Sequence, residues 1–431
     1  MKRKMTGASA LFLVGSAVAA LPVVRPESVV LRQDNMTKEV RVSYALDAAP
    51  GIVTVDFLTN GVSIGEATFA GVSGDVNRLV GTGAHLIQWK PYEDVWGQIT
   101  TSNKVMTARV KAWSPYRPPD YLVMGLETQN DVRYFVSTNA LPGGLGHADY
   151  RTKYVVMRKI PAAGATFRMG SPDNPDYEVG SHKTGTGAYS YRNRETPHLV
   201  TFTNDFFMAI FQTTQGQYAK IAANPSSFSG YENSPFRPVE NMTYNSLRGA
   251  GWPESGHAVA QDSFLDKVRN RTGLEVDLPT DAQWEFACRA GSTHAINSDK
   301  DLTSDTTCAN LDELAWYSGN GGNTTHPVGL KKPNAWGLYD MHGNVYDWCL
   351  DWMGLSYGPA MSSNPVVEPV GYTTAGRPTS GGKLEIARCR RGGTYSHDAK
   401  ICRSAWRGSD APTAAYANTG FRMICPVGGT W

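Results

Sequence analysis

The sequence predicts two units of different build, a small all-β sandwich over residues 25–118 and then a larger α+β domain with little regular structure. Three observations carry that expectation. Between 25 and 118, short runs of β-branched and aromatic residues recur between turn residues at fairly regular spacing, as sandwich strands do. The 431-residue chain holds 44 Gly and 25 Pro, which interrupt long regular elements. It also holds 11 Trp and 20 Tyr, large rings whose burial pins irregular backbone.

Taken in order, Lys2, Arg3 and Lys4 precede an apolar run from Ala8 to Val18 and the small-residue pattern Ala17-Val18-Ala19. This reads as a secretory leader over residues 1–20, too short to span a bilayer. The mature chain is therefore expected outside the cytoplasm (periplasmic, extracellular or at the cell surface), with no membrane span. Strands are expected at 29–33, 38–46, 51–61, 85–91 and 105–113. Pro115 to Pro119 opens a linker over 119–150, with a short extended segment and a Gly-Gly-x-Gly loop at 143–146. The second domain runs over 151–427.

Three helices are expected there. Thr280 stands three before Gln283, a capping-box spacing, so a helix over 280–290 should end at Gly291, with Trp284, Ala287 and Cys288 on one face. A second is opened by Asp262 and closed by Gly273, and a third follows Thr213-Thr214 to about Ala223.

Hydrophobic residues at 41% and charged residues at 19% describe an ordinary globular chain, and 41 basic against 39 acidic residues leave no face suited to nucleic acid. The six cysteines all lie in the C-terminal half and none forms a C-x-x-C pair, so zinc is not indicated. No Ser-His-Asp order, phosphate-binding glycine loop or H-E-x-x-H helix is present.

The most informative stretch is 334–352, NAWGLYDMHGNVYDWCLDW. Apolar anchors alternate with the hard oxygen ligands Asp340 and Asp347, and Gly343-Asn344 favours a bend whose carbonyls turn inward. Such a segment can wrap a cation; alternatively the two carboxylates cap turns or pair with arginines. With IPAAGATFRMGSP (160–172), ETPHLVTFTNDFFMAIFQTTQGQY (195–218), RPVENMTY (237–244), LPTDAQWEFACRAG (278–291), RRGGTYSHDAKICRSAWR (390–407) and NTGFR (418–422), it resembles the formylglycine-generating enzyme, or sulfatase-modifying factor, family.

That resemblance implies a variant C-type-lectin-like fold. It implies calcium at Asp340, Asp347 and the carbonyls of Gly343 and Val345, with a second set at Asn310 and the Leu311 carbonyl, where the acidic ligand is replaced by Asn320. It implies O₂-dependent oxidation of a sulfatase cysteine by copper on two thiolates. After the Gly392-Gly393-Thr394-Tyr395 turn, however, His397 stands at the first thiolate position, and Cys402 falls at the second only if no gap is placed. Aligned from downstream, Cys402 is instead a structural cysteine, and the preferred bridge is Cys288–Cys402. Arg403, Arg407 and Arg422 are expected to tie loops together.

The expectation is an exported, calcium-stabilised member lacking the copper pair. It would bind a peptide, protein or small ligand in a groove near Tyr346, Thr394, Tyr395 and His397, or carry out an unassigned oxidation. Two alternatives stand: a formylglycine-generating oxidase using Cys402, His397 and Thr394, and a surface or assembly protein acting through the N-terminal β domain.

Overall fold

A computed structural model describes residues 20–91, 106–171, 195–223, 234–353, 365–369, 376–378, 384–429 and 431. The expected leader lies outside these residues, except for Ala20. All five strands expected in the first unit form, within two sheets. In one, Val40–Asp47 pairs with Val30–Gln33 on one side and Gly83–Trp89 on the other. In the second, Gly51–Thr59 is central and pairs with Met106–Trp113 along its length. Alternation along Val40–Asp47 turns Val40, Val42, Tyr44 and Leu46 inward, against Val53, Phe57, Ile87 and Trp89. Phe57 stacks on Trp89 with ring centroids 4.6 Å apart. Each such side chain contributes roughly 1.5–3 kcal/mol on burial, and this core is the sandwich.

The segment expected to be a linker, 119–150, is instead the start of the second domain. Tyr121–Gly125 forms a hairpin with Val132–Phe135 and pairs on its other edge with Tyr154–Ile160. The sheet continues through Phe206–Ala209 to Ile424–Pro426, all antiparallel, so the ends of the domain meet in one sheet. Leu122, Val123 and Met124 are buried on both faces, which explains why no alternation advertised the strand. The first unit packs directly on this hairpin, with the Tyr134 N–H donating to the Asn77 carbonyl at 2.6 Å.

A second sheet orders Gly408–Asp410, Arg388–Arg391, Tyr346–Trp352 and Thr419–Gly420, the last pair parallel. The helix Asp281–Arg289 lies against it, with Trp284, Ala287 and Cys288 fully buried as expected. Its capping box forms: the Gln283 N–H donates to Thr280 Oγ1 at 3.1 Å and the Thr280 N–H to Gln283 Oε1 at 2.9 Å. The left-handed stop is Ala290, one residue before Gly291. Phe264–Thr272 is capped by Ser263 rather than Asp262, because Asp262 itself sits at φ 61 in the preceding turn. Gly273 closes that helix as expected. The helix after Thr214 is a single turn, Gln215–Tyr218, with its own capping box.

Candidate functional site: a cation turn and a sealed thiol

The 340–347 turn is built on residues that tolerate unusual backbone. Asp340 has φ 55, Gly343 φ 142 and Asn344 φ 66. A Cβ on Gly343 would lie 2.3 Å from the Trp316 carbonyl oxygen, so glycine is required on two counts. Asn344 then staples three segments: its N–H donates to Trp316 O, its side chain exchanges hydrogen bonds with the His326 backbone, and its carbonyl accepts from the Tyr395 N–H. This turn therefore positions the Gly392–Tyr395 turn beside it.

Four of the expected metal-site residues, Asp340, Gly343, Val345 and Asp347, come together on this one turn. Asp347 Oδ2 accepts from Arg422 Nε at 2.7 Å and Trp284 Nε1 at 2.9 Å, so this carboxylate is also an arginine partner. Asp340 Oδ2 accepts the Gly329 N–H at 2.8 Å, while its buried Oδ1 has no hydrogen-bond partner. Burial pushes the Asp340 carboxyl up to about 6, the nearby Asp347 charge adding to the effect. The neighbouring Gln212 Oε1 is likewise buried without a partner. Two buried oxygens lacking a donor, beside a second carboxylate, fit a hard, oxygen-seeking cation. Among the described residues no three His, Cys, Asp or Glu side chains cluster as a metal site, so carbonyl and amide oxygens would have to complete such a set.

Asn310 and Leu311 stand apart, in the Ala309–Asp312 helical turn. The Leu311 carbonyl accepts from the N–H groups of Leu314 and Ala315, and the Asn310 amide donates to Asp301 O at 2.9 Å. Asn320 accepts the Tyr317 N–H and donates to Ala315 O. The Leu311 carbonyl and the amide nitrogens of Asn310 and Asn320 are thus engaged within their own loop.

Around the turn runs a buried lattice of ion pairs. Asp281 binds Arg391 and Arg407, Glu285 binds Arg391 and Arg289, and Glu195 binds Arg403. The expected loop-tying roles of Arg403, Arg407 and Arg422 are thus each seen. The partners of Arg403 and Arg407, Glu195 and Asp281, had no signal in the sequence, since each pair is separated by more than a hundred positions.

On the adjacent turn, Thr394 Oγ1 and His397 Nδ1 are 2.8 Å apart, and the His397 ring lies 5.3 Å from that of Tyr346. Arg390 stacks on that same Tyr346 ring at 4.6 Å. Thr394, His397 and Tyr346 therefore lie side by side, with Thr394 and Tyr346 buried and His397 partly exposed. Cys402 does not open onto them. Its side chain is 0% exposed, lies beneath Gly393 and accepts the Thr394 N–H, and burial raises its thiol to about 12. A neutral, sealed thiol with a histidine already bonded to threonine does not fit a copper dithiolate.

The expected Cys288–Cys402 bridge is not formed, and all six cysteines are buried free thiols. Cys288 Sγ instead lies 3.7 Å from Ser404 Oγ and 3.8 Å from both the Met341 carbonyl oxygen and His342 Nε2. His342, whose Nδ1 lies 2.7 Å from Cys402 O and whose Nε2 accepts the Asn297 N–H, is held neutral by burial, its pKa lowered to about 4.

Fold and site define a loop-rich α+β domain whose charged core supports two adjoining turns. Residues 160–426 match the Sulfatase-modifying factor enzyme 1-like domain, and the chain belongs to that family. It is 32% identical over 297 residues to the formylglycine-generating enzyme of Thermomonospora curvata, covering 61% of this chain and 91% of that one. To the chaperone protein LppX of Paenibacillus barcinonensis it is 30% identical over 214 residues, covering 41% of this chain and 70% of that one. Among solved structures, PvdO from Pseudomonas aeruginosa aligns at 25% identity and a TM-score of 0.45, covering 63% of this chain and 94% of that one.

Proposed function

We propose that this protein is an exported, calcium-stabilised recognition member of the family, holding a peptide, protein or small ligand at the patch of Tyr346, Thr394, Tyr395 and His397. It does not generate formylglycine. The observation that carries the reading is Cys402, buried beneath Gly393 with its sulfur already hydrogen-bonded, while the position of its would-be partner is His397. A family relative named as a chaperone is consistent with binding in place of oxidation. Calcium would be held by Asp340, Asp347 and the carbonyls of Gly343 and Val345, and would supply positive charge that fixes the turn. The residues themselves do the rest: Asn344 transmits the turn's position to Tyr395, and Thr394 orients the His397 ring.

The test is a Cu(I) titration of the purified protein, followed by aerobic incubation with a cysteine-containing sulfatase peptide and a thiol-alkylation count. The expected result is no stoichiometric copper, no aldehyde product, and a Cys402 thiol that reacts only after unfolding. One-to-one Cu(I) binding that is lost in Cys402→Ser, with O₂-dependent aldehyde formation, would overturn the proposal.

A further inference from the structure

We infer that Gln212 is a ligand of the cation, its side-chain amide turning to present oxygen when the 340–347 turn is loaded; this rests on reading that turn as a calcium site. Gln212 lies just beyond the Phe206–Ala209 strand and is 0% exposed. Its Nε2 donates to the Val345 carbonyl at 2.7 Å and lies 3.4 Å from Asp347 Oδ1. The amide thus already touches two of the oxygens expected to hold the ion. Tyr339 N–H donates to Ile210 O at 2.9 Å, pinning the start of the turn to the segment that carries Gln212.

The polar accounting is incomplete in this arrangement. Gln212 Oε1 and Asp340 Oδ1 are both buried and both lack a donor. Leaving such a group unsatisfied costs about 1–3 kcal/mol. Because the two ends of an amide are nearly the same shape, half a turn about its last bond exchanges them with little change in packing. In the present orientation the NH₂ group holds Val345 O and Asp347 Oδ1 in the absence of positive charge. Turned, Oε1 would meet those same oxygens, which is repulsive unless a cation lies among them. With a cation present, the oxygens of Gln212, Val345, Asp347 and Asp340 all gain, against the cost of moving the NH₂ group to the buried place where Oε1 has no hydrogen-bond partner.

Charge points the same way. Asp347 is paired with Arg422, whereas Asp340 has no lysine or arginine within ion-pair distance among the described residues. A neutral oxygen from Gln212 extends the ligand set without adding a third carboxylate to a buried site. The amide is therefore an occupancy-linked switch, donor inward when the site is empty and acceptor inward when it is filled.

Calcium titration by calorimetry and Eu³⁺ luminescence decay in H₂O and D₂O test this on the full chain. Gln212→Met keeps the length and removes both polar ends; Gln212→Glu keeps the oxygen and adds charge. The expected result is that Gln212→Met weakens calcium by about tenfold or more and its bound Eu³⁺ gains about one water, while Gln212→Glu binds more tightly than the parent. Parent-like affinity and hydration in Gln212→Met would overturn the role of Gln212 and leave the calcium site standing. No binding by the parent protein would overturn both. If Gln212→Met fails to fold, Gln212→Glu decides, and affinity equal to or below the parent's overturns the inference.

Discussion

Asp351 shows how much a single buried residue sets the pH behaviour of this protein. Its Oδ2 accepts the Asp281 N–H at 2.6 Å, and burial, reinforced by the Asp281 charge, raises its carboxyl to about 7. Asp281 itself, despite its burial, is kept ionised by Arg391 and Arg407. Since the folded pKa of Asp351 lies above its unfolded value near 3.8, the native state holds the extra proton. The stability it contributes is full below that unfolded value and is lost as pH rises through about 7. Asp351→Asn should remove this loss, so its stability advantage over the parent should grow by on the order of 3 kcal/mol between about pH 4 and pH 8. Urea unfolding at several pH values measures it, and parallel curves would contradict it. Gly343→Ala probes the neighbouring turn. A methyl group 2.3 Å from Trp316 O, on backbone at φ 142, should cost about 2–4 kcal/mol and, if the turn holds calcium as proposed, abolish the upward shift in Tm on adding calcium.

At the scale of elements, the Asp281–Arg289 helix separates what pattern reveals from what only tertiary structure reveals. Its existence and start were legible, because the capping box and the buried face of Trp284, Ala287 and Cys288 are local. Thr280→Ala should accordingly cost only about 1 kcal/mol, the value of a lost cap. Asp281 occupies the first position of the same helix, yet its partners Arg391 and Arg407 lie 110 and 126 residues away. No periodicity encodes such a pairing. Asp281→Ala would leave two guanidinium groups buried without their carboxylate, and should cost roughly 3–5 kcal/mol. Chemical denaturation of both variants checks the ratio. The same contrast governs the site. Asp340 and Asp347 could be picked from the turn sequence, whereas Gln212 could not, since it sits more than a hundred positions upstream in an ordinary strand exit. The Cys288–Cys402 expectation failed for a related reason: what meets the Cys288 thiol, the Met341 carbonyl, His342 and Ser404, is set by tertiary packing that the flanking motifs do not encode.

For the whole molecule the decisive question is where one folding unit ends. Prolines at 115, 118 and 119 mark a boundary, and the strands before them form the sandwich as the pattern foretold. The stretch beyond these prolines reads as a linker only because its central strand is buried on both faces and lacks alternation. Structurally, Tyr121–Gly125 lies between Val132–Phe135 and Tyr154–Ile160, so removing residues up to 150 would strip two strands from the five-stranded sheet. It would expose Val155, Val156 and Met157 on an unpaired edge, a template for aggregation. A chain beginning at residue 119 keeps that sheet whole and loses only the contact between the sandwich and the hairpin, including the Asn77–Tyr134 hydrogen bond. The shorter chain, beginning at 151, should therefore be insoluble or lack a cooperative unfolding transition. The chain from 119 should unfold cooperatively and, if calcium stabilises the intact protein through the 340–347 turn, should show the same upward shift in Tm on adding calcium. Equal behaviour of the two chains would mean that the hairpin is not part of the second domain's folding unit. Failure of both would mean that the sandwich is needed to cover the sheet.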